Sequence, residues 1–408
     1  MNAEGGAMNS LTTTEQQTLS EYNRARTLQY LHHHGIASRA QIAKALHLTP
    51  AALSKISNHL LASGAIVETG ALEGKGNRRS IGLAVNARAF QVLGVKFARS
   101  LIEIGLFDLV GKPSFIRELP TVENTTIPQA IESLHAEIKR LLAEHPHILA
   151  IGMAVPGPYL RDRGHTAVVS SMEQWRQVNF RAEFEYAFDV PVIIEQDARA
   201  GALAQYLFDP NPANENLAYY LLGEGIGLGV IDHGTVINGS LGAATEIGHV
   251  SIDVNGKACD CGNVGCLERY CSAVAIHEAM LGNGMLATDS RITHREACAE
   301  LFARAQSGDG QARELVERIG TFVGYGCVTI CNAFNPSRIV IGDIVAQAGE
   351  PLLQRVREVA CERVIPEIMQ STQIELSALP TDAAVTGAAA VAITYILDHP
   401  SQFFANGT

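Results

Sequence analysis

The sequence predicts an α/β protein, with a small winged helix-turn-helix at its N-terminal end and a much larger body of alternating strands and helices. Three observations carry that prediction. Between Tyr22 and Leu60 apolar residues recur at helical spacing in three short segments, two of them preceded by capping residues. From about Phe90, apolar runs of strand length alternate with helical stretches. The charge changes sign at the same place: residues 1–90 carry a net +4, and the remainder carries −15 of a total of −11.

Residues 1–20 are rich in Ser, Thr, Gly and Asn, show no apolar period and are read as a lead-in. A first helix is expected over Glu21–His34, with Tyr22, Ala25, Leu28 and Leu31 inward and Gly35 ending it. A second starts at the N-cap Ser38 and buries Ile42, Ala43 and Leu46. A third is capped by Thr49, has Pro50 at its first position and buries Leu53, Ile56 and Leu60. Its opposite face carries Ala51, Ser54, Lys55 and Asn58 in one stripe, small and polar enough to enter a major groove. Lys55 and Asn58 are suited to base edges or phosphates. Strands are expected at Ile66–Gly70 and Ile81–Val85 around the cationic turn Glu73–Arg79, whose Lys75, Arg78 and Arg79 suit a groove or backbone contact. With Ser38 and Thr49 at the helix starts, these residues make up the expected DNA-contacting set. A basic head on an acidic body confines a polyanionic partner to the head.

In the body, Val92–Phe97 and Leu101–Leu109 read as a strand pair, and so do Leu217–Leu222 and Gly227–Asp232. Ile148–Val155 and Val190–Ile194 are continuously apolar, as expected of strands covered on both faces. Ile339–Ile341 and Ile374–Leu376 are late strands. Helices are expected near Pro128–Glu144, Ala198–Phe208, Ser272–Gly282, Ile292–Ala305, Ala312–Phe334 and Asp382–Leu397. A body of about 315 residues exceeds one compact set of layers and predicts two lobes with a cleft. Apolar residues make up 47% of the chain and charged residues 18%, which excludes wholesale disorder. No run approaches the ~18 apolar residues of a membrane span, and no secretory signal opens the chain, so a cytoplasmic protein without membrane insertion is expected.

Four of the eight cysteines, Cys259, Cys261, Cys266 and Cys271, fall within 13 residues. With His249 nearby, three thiolates and one imidazole make a tetrahedral zinc set, His249, Cys259, Cys261 and Cys266. Gly262 and Gly265 would let the backbone fold tightly around one ion. Four protein ligands leave no open position, so one structural Zn²⁺ per chain is expected. Cys298, Cys327, Cys331 and Cys361 are read as buried small hydrophobes.

The order of these motifs from about residue 20 onwards resembles the ROK family, named for repressors, open reading frames and kinases. The zinc spacing (His, nine residues, Cys, one, Cys, four, Cys) matches the family's, and the head resembles that of its sugar-responsive repressors. The resemblance implies a two-lobed, hexokinase/actin-like body. On it, residues 21–88 form the winged helix-turn-helix, 89–195 with 382–408 the smaller lobe, and 196–381 the larger lobe with the zinc site. It also implies a sugar site. Gly157 lies in the loop whose backbone faces the sugar, Gln196 and Asp197 stand where the family has Asn-Asp, and Glu246, His249 and Glu268 are its carboxylate–imidazole–carboxylate set. Carboxylates suit a pyranose because each accepts from two hydroxyls at once.

In kinases of the family Asp197 would be the general base. The phosphate loops depart from that pattern. The family's Asp-x-Gly-Gly-Thr reads Lys96-Phe97-Ala98-Arg99-Ser100, the second loop carries Glu224 among its glycines, and the Gly-Gly pair is Gly342-Asp343. Ala98 and Arg99 obstruct the backbone approach to phosphate that glycine allows, and Glu224 repels it. The expectation is therefore a sensor rather than an enzyme: a repressor of carbohydrate uptake or metabolism genes that responds to a sugar or amino sugar and binds double-stranded DNA at a two-fold symmetric operator as a homodimer or a dimer of dimers. The alternative is an ATP-dependent ROK sugar kinase with an attached DNA-binding head.

Overall fold

The computed structural model describes residues 13–72, 80–98, 102–119, 127–167, 175, 177–209, 211, 215–379 and 383–404. Contacts divide the chain into two units. One holds residues 1–91, 108–110 and 393–408, and the other holds 92–107 and 111–392.

The first unit opens with helix α1 (Thr13–His34), which starts inside the stretch read as lead-in. Ala25, Leu28 and Leu31 are buried as predicted, but Tyr22 is 57% exposed and stacks under the Arg26 guanidinium. Gly35 follows at φ +68°. Strand β1 (Ala37–Ser38), helices α2 (Arg39–Ala45) and α3 (Pro50–Ala62), and strands β2 (Ile66–Leu72) and β3 (Ser80–Val85) complete this N-terminal part. The strands form one sheet in the order β1-β3-β2. Ser38 caps α2 through a reciprocal box with Gln41, and the Thr49 hydroxyl accepts from the Ala52 N–H at the start of α3. Ile42, Ala43, Leu46, Leu53, Ile56 and Leu60 are all buried.

The second unit contains two five-stranded sheets. The elements of its first half are β4 (Gln91–Phe97), β5 (Ile102–Asp108), β6 (Pro113–Glu118), α4 (Ile127–Glu144), β7 (Ile148–Val155), the small hairpin β8 (Tyr159–Leu160) and β9 (His165–Thr166), α5 (Phe180–Phe184) and β10 (Val192–Gln196). Its sheet runs β10-β7-β4-β5-β6, with β10 parallel to β7 and β6 antiparallel to β5. The second half follows helix α6 (Asp197–Phe208) with β11 (Leu217–Leu222), β12 (Ile226–Asp232) and β13 (Thr235–Val236). Then come helices α7 (Glu268–Cys271), α8 (Ala273–Gly282), α9 (His294–Ser307) and α10 (Gly310–Phe334), strand β14 (Arg338–Gly342), α11 (Glu350–Arg363), α12 (Pro366–Ser371) and β15 (Gln373–Leu376). That sheet runs β13-β12-β11-β14-β15, with β14 parallel to both neighbours.

Helix α13 (Ala383–Asp398) starts in the second unit and ends in the first, where α14 (Pro400–Phe403) follows. The predicted smaller lobe, 89–195 with 382–408, is therefore not one contact unit. Residues 393–404 group with the head because Asp398 accepts from Gln29 Nε2 at 2.6 Å and Ser401 N–H donates to Glu21 at 3.0 Å. Within the second unit, one buried apolar cluster lies among residues 93–194 and another among residues 218–374. Cys298, Cys327 and Cys331 are buried as predicted, whereas Cys361 is exposed on the outer face of α11.

Candidate functional site

One cavity in the second unit collects every residue assigned to the sugar site. Gly157 and Pro156 follow β7, Gln196 ends β10, and Asp197 begins α6. Glu246 and His249 come from the segment after β13, and Glu268 from the first turn of α7. Lys96, Ala98, Glu224 and Asp343 line the same cavity, as does Arg295, which the sequence reading did not single out. Arg99 lies outside the described residues.

The longer side chain of Gln196 is absorbed by the fold. Its Oε1 accepts from the Arg199 N–H at 3.0 Å and so caps α6. A Cβ on Gly157 would sit 2.9 Å from the Gln196 Nε2, and one on Gly227 would sit 3.2 Å from it. Two glycines therefore make room for one extra carbon.

Burial pushes the Asp197 carboxyl up to about 6, and the nearby Asp343 adds to this while the Ala198 N–H, Lys96 and Arg199 oppose it. Glu246 is pushed up to about 7, again chiefly by burial, with Arg199 opposing and Asp197 and Glu268 reinforcing. Near neutral pH these two carboxyls can each accept from, or donate to, a ligand hydroxyl. Lys96 is buried, with Nζ 3.6 Å from Glu103. Asp343 adopts φ +74°, a conformation that glycine takes without strain, and lies 4.0 Å from Arg295.

Beside the cavity, donor atoms of His249, Cys259, Cys261 and Cys266 all lie within 4.8 Å of one another. Cys259 Sγ is 3.8 Å from His249 Nδ1, and the Cys261 and Cys266 sulfurs are 3.6 Å apart. An S–S edge of a zinc–thiolate tetrahedron is about 3.8 Å, so this donor set fits a tetrahedral metal ion. Gly262 and Gly265 have φ of +91° and +74°, and a Cβ on Gly265 would run into the Asp253 carbonyl. Glu268 Oε1 lies 3.6 Å from His249 Nδ1, joining the cluster to the cavity wall.

In the first unit the face of α3 is as predicted: Ala51, Ser54, Lys55 and Asn58 are exposed, and so is Thr49. Ser38 is different. It is buried, and its hydroxyl is held by Gln41, so it supports the α2 start and presents nothing to a partner. Lys75, Arg78 and Arg79 lie outside the described residues.

A family model described as "ROK family" matches residues 92–395. The chain belongs to the ROK family. This ROK protein is 28% identical to a xylose repressor of Caldicellulosiruptor bescii over 94% of its own length and 98% of the relative's. It is 29% identical to an N-acetylglucosamine repressor of Escherichia coli O157:H7, covering 83% of this chain and 84% of that one. Among solved structures, a ROK family transcriptional regulator described as a homolog of the E. coli MLC protein matches 95% of this chain and 100% of its own, with TM-score 0.79 and 26% identity. A ROK hexokinase from Thermus thermophilus matches 75% of this chain and 99% of its own, with TM-score 0.62 and 26% identity. Among the described residues, no helix is long and apolar enough to cross a membrane.

Proposed function

We propose that this protein is a sugar-responsive transcriptional repressor of carbohydrate uptake or metabolism genes, with the ROK body as its sensor. One observation carries the reading: six residues from four segments, Gly157, Gln196, Asp197, Glu246, His249 and Glu268, meet in one cavity rich in acceptors for hydroxyls. The full-length similarity to a xylose repressor supports it, since it extends through the head as well as the body. The three-stranded sheet and the exposed stripe on α3 support a winged helix-turn-helix that places α3 in a major groove. Zn²⁺ is the metal that the four-donor cluster suits, and bound there it would supply a fixed cross-link without chemistry. His249 would then be held through Nδ1, which orients a residue of the cavity wall.

The kinase alternative is disfavoured by the cavity itself. Lys96, Glu224 and Asp343 line it, and the family resemblance implies an acid, an uncharged residue and a glycine at those places in kinases. A sugar that binds the two states of the body unequally would shift a homodimer between geometries that fit and do not fit a two-fold operator.

The test is to capture genomic DNA fragments on the purified protein and repeat the capture with D-xylose, D-glucose and N-acetylglucosamine. Selection of a few two-fold symmetric fragments, released by one sugar, is expected. Selection of none under any condition would overturn the repressor reading, and phosphoryl transfer from ATP to a sugar, abolished in Asp197→Asn, would restore the kinase.

A further inference from the structure

The residue that precedes Glu246 is held in an unfavourable backbone conformation. Thr245 has φ +68°, in the left-handed region that β-branched side chains avoid. Its hydroxyl donates to the Leu228 carbonyl on β12 and lies equally close, 2.5 Å, to the Ala244 carbonyl. That second carbonyl also accepts from Arg199 Nη1 at 3.5 Å. Such a strained residue persists only where its surroundings over-determine it, and here the surroundings lead away from the cavity in a chain.

Arg199 is fully buried, and its Nε donates to Glu195 Oε1 at 2.8 Å. The same oxygen accepts from the Gln196 N–H at 2.7 Å. The other oxygen of Glu195 takes Arg161 Nη2 at 2.5 Å. Arg161 sits at the tip of the β8–β9 hairpin with a side chain 51% exposed. Gly242, in the segment leading to Glu246, backs onto that hairpin: a Cβ there would lie 3.3 Å from Arg161 Cβ and 3.5 Å from the Tyr159 carbonyl oxygen. None of Arg161, Glu195, Arg199, Ala244 and Thr245 lines the cavity. Together they join the hairpin, the β10–α6 junction that carries Gln196 and Asp197, and the turn that carries Glu246.

We propose that Glu195 is a positioning residue for effector binding, its carboxylate shared by Arg199 and Arg161 so that the acceptors Asp197 and Glu246 are fixed together. The inference rests on the sugar-sensing reading of the cavity. The two arginines play unequal parts. Arg199 neutralises Glu195 inside the protein, so removing Glu195 would strand a buried guanidinium. Release of Arg161 leaves no buried charge unpaired and moves an already exposed side chain into water. The hairpin is therefore the arm that detaches, and Thr245 is the strained joint that its detachment lets relax.

The test uses the full chain and avoids variants at the buried end of the brace. Arg161→Gln removes the arm, Arg161→Lys keeps its charge, and Thr245→Gly removes the cost of the positive φ. Calorimetric titration uses D-xylose, D-glucose and N-acetylglucosamine as probes, and hydrogen exchange is read over residues 239–249. Arg161→Gln is expected to weaken whichever probe the wild type binds by about fivefold, with an unchanged unfolding midpoint and faster exchange over 239–249. Arg161→Lys recovers most of the affinity. Thr245→Gly weakens binding without loss of stability, which a merely structural role would not produce. Unchanged exchange in Arg161→Gln overturns the proposal whether or not any sugar binds. If the wild type takes up none of the probes while that exchange is still faster, the brace is supported and the sensing reading is the one that fails.

Discussion

In both five-stranded sheets the first strand, β4 or β11, lies in the middle, with the second and third strands on one side and the fourth and fifth on the other. The turn after each first strand reaches the cavity, through Ala98 in one half and Glu224 in the other. The two halves differ in their glycines. After β4 come Ala98 and Arg99, whereas after β11 Gly223, Gly225, Gly227 and Gly229 follow at every second position. By resemblance to the family's kinases, such a run of glycines invites the conclusion that it serves phosphate binding. The packing gives another reason. A Cβ on Gly229 would meet the Ala198 carbonyl and come 2.7 Å from Ala202 Cβ, and one on Gly227 would come 2.8 Å from Ala198 Cβ. Strand β12 lies directly on helix α6, so these glycines are needed whether or not a nucleotide ever enters. A glycine motif can be required by the core independently of any chemistry it serves.

That comparison can be broken most sharply at Gly229. Gly229→Ala is expected to destabilise the protein by roughly 3 kcal/mol, read as a shift in urea midpoint, while Ala98→Gly in the other half should change stability by under about 1 kcal/mol. Equal tolerance at both places would mean that the β12 glycines are kept for phosphate after all. The Cys/His cluster, in the long segment between β13 and β14 of the second half, should matter about as much. Wild type is expected to carry one zinc per chain by elemental analysis, and Cys261→Ser to lose it together with several kcal/mol of stability; full stability without metal would separate the cluster from the fold.

Next in size is the pH response of Asp197, where the halves meet. Its folded pKa, about 6, stands above its ordinary 3.8, so the folded state holds the proton more tightly than the unfolded one. Stability contributed by the protonated form is present at pH 3–4 and is lost as pH rises through 6. Asp197→Asn without sugar should lack this loss and gain roughly 2 kcal/mol at pH 7 relative to wild type, visible in denaturation curves at pH 4 and 7. An identical pH slope in both proteins would show that burial does not govern this carboxyl. The smallest effect is expected in the head: Lys55→Ala should weaken DNA binding a few-fold and lower its salt slope by about 1. An unchanged slope would remove Lys55 from the phosphate contacts.

Much of this architecture could be read from sequence because its signals are local. Caps at Ser38 and Thr49, the buried spacing of α3 and the Cys/His spacing all act within a few residues. Several elements escaped the reading, most of them short; β6 is the longest of the strands and α11 the longest of the helices among them. β6 is an edge strand whose residues are half-buried or exposed, so Pro113-Ser-Phe-Ile-Arg-Glu118 shows little alternation. Helix α11 does carry a signal, with Leu352, Leu353, Val356, Val359 and Ala360 buried, but charged residues interleave with it. The cavity was legible only through family resemblance, because Gly157 and Glu268 are brought together by tertiary packing. Arg295 matches no motif at all, and Ser38 shows the opposite error, a good cap mistaken for a contact as well.

The C-terminal end of α13 has a consequence for the making of the protein. Glu21 and Gln29 on the first helix find their partners at Ser401 and Asp398. A ribosome finishes α1 long before it reaches those residues. Until they emerge, the side of α1 that carries Glu21 and Gln29 lacks these contacts of the folded protein. A chain shortened before residue 398 lacks both partners, so the packing of α1 depends on residues 369 and 380 positions further along the chain.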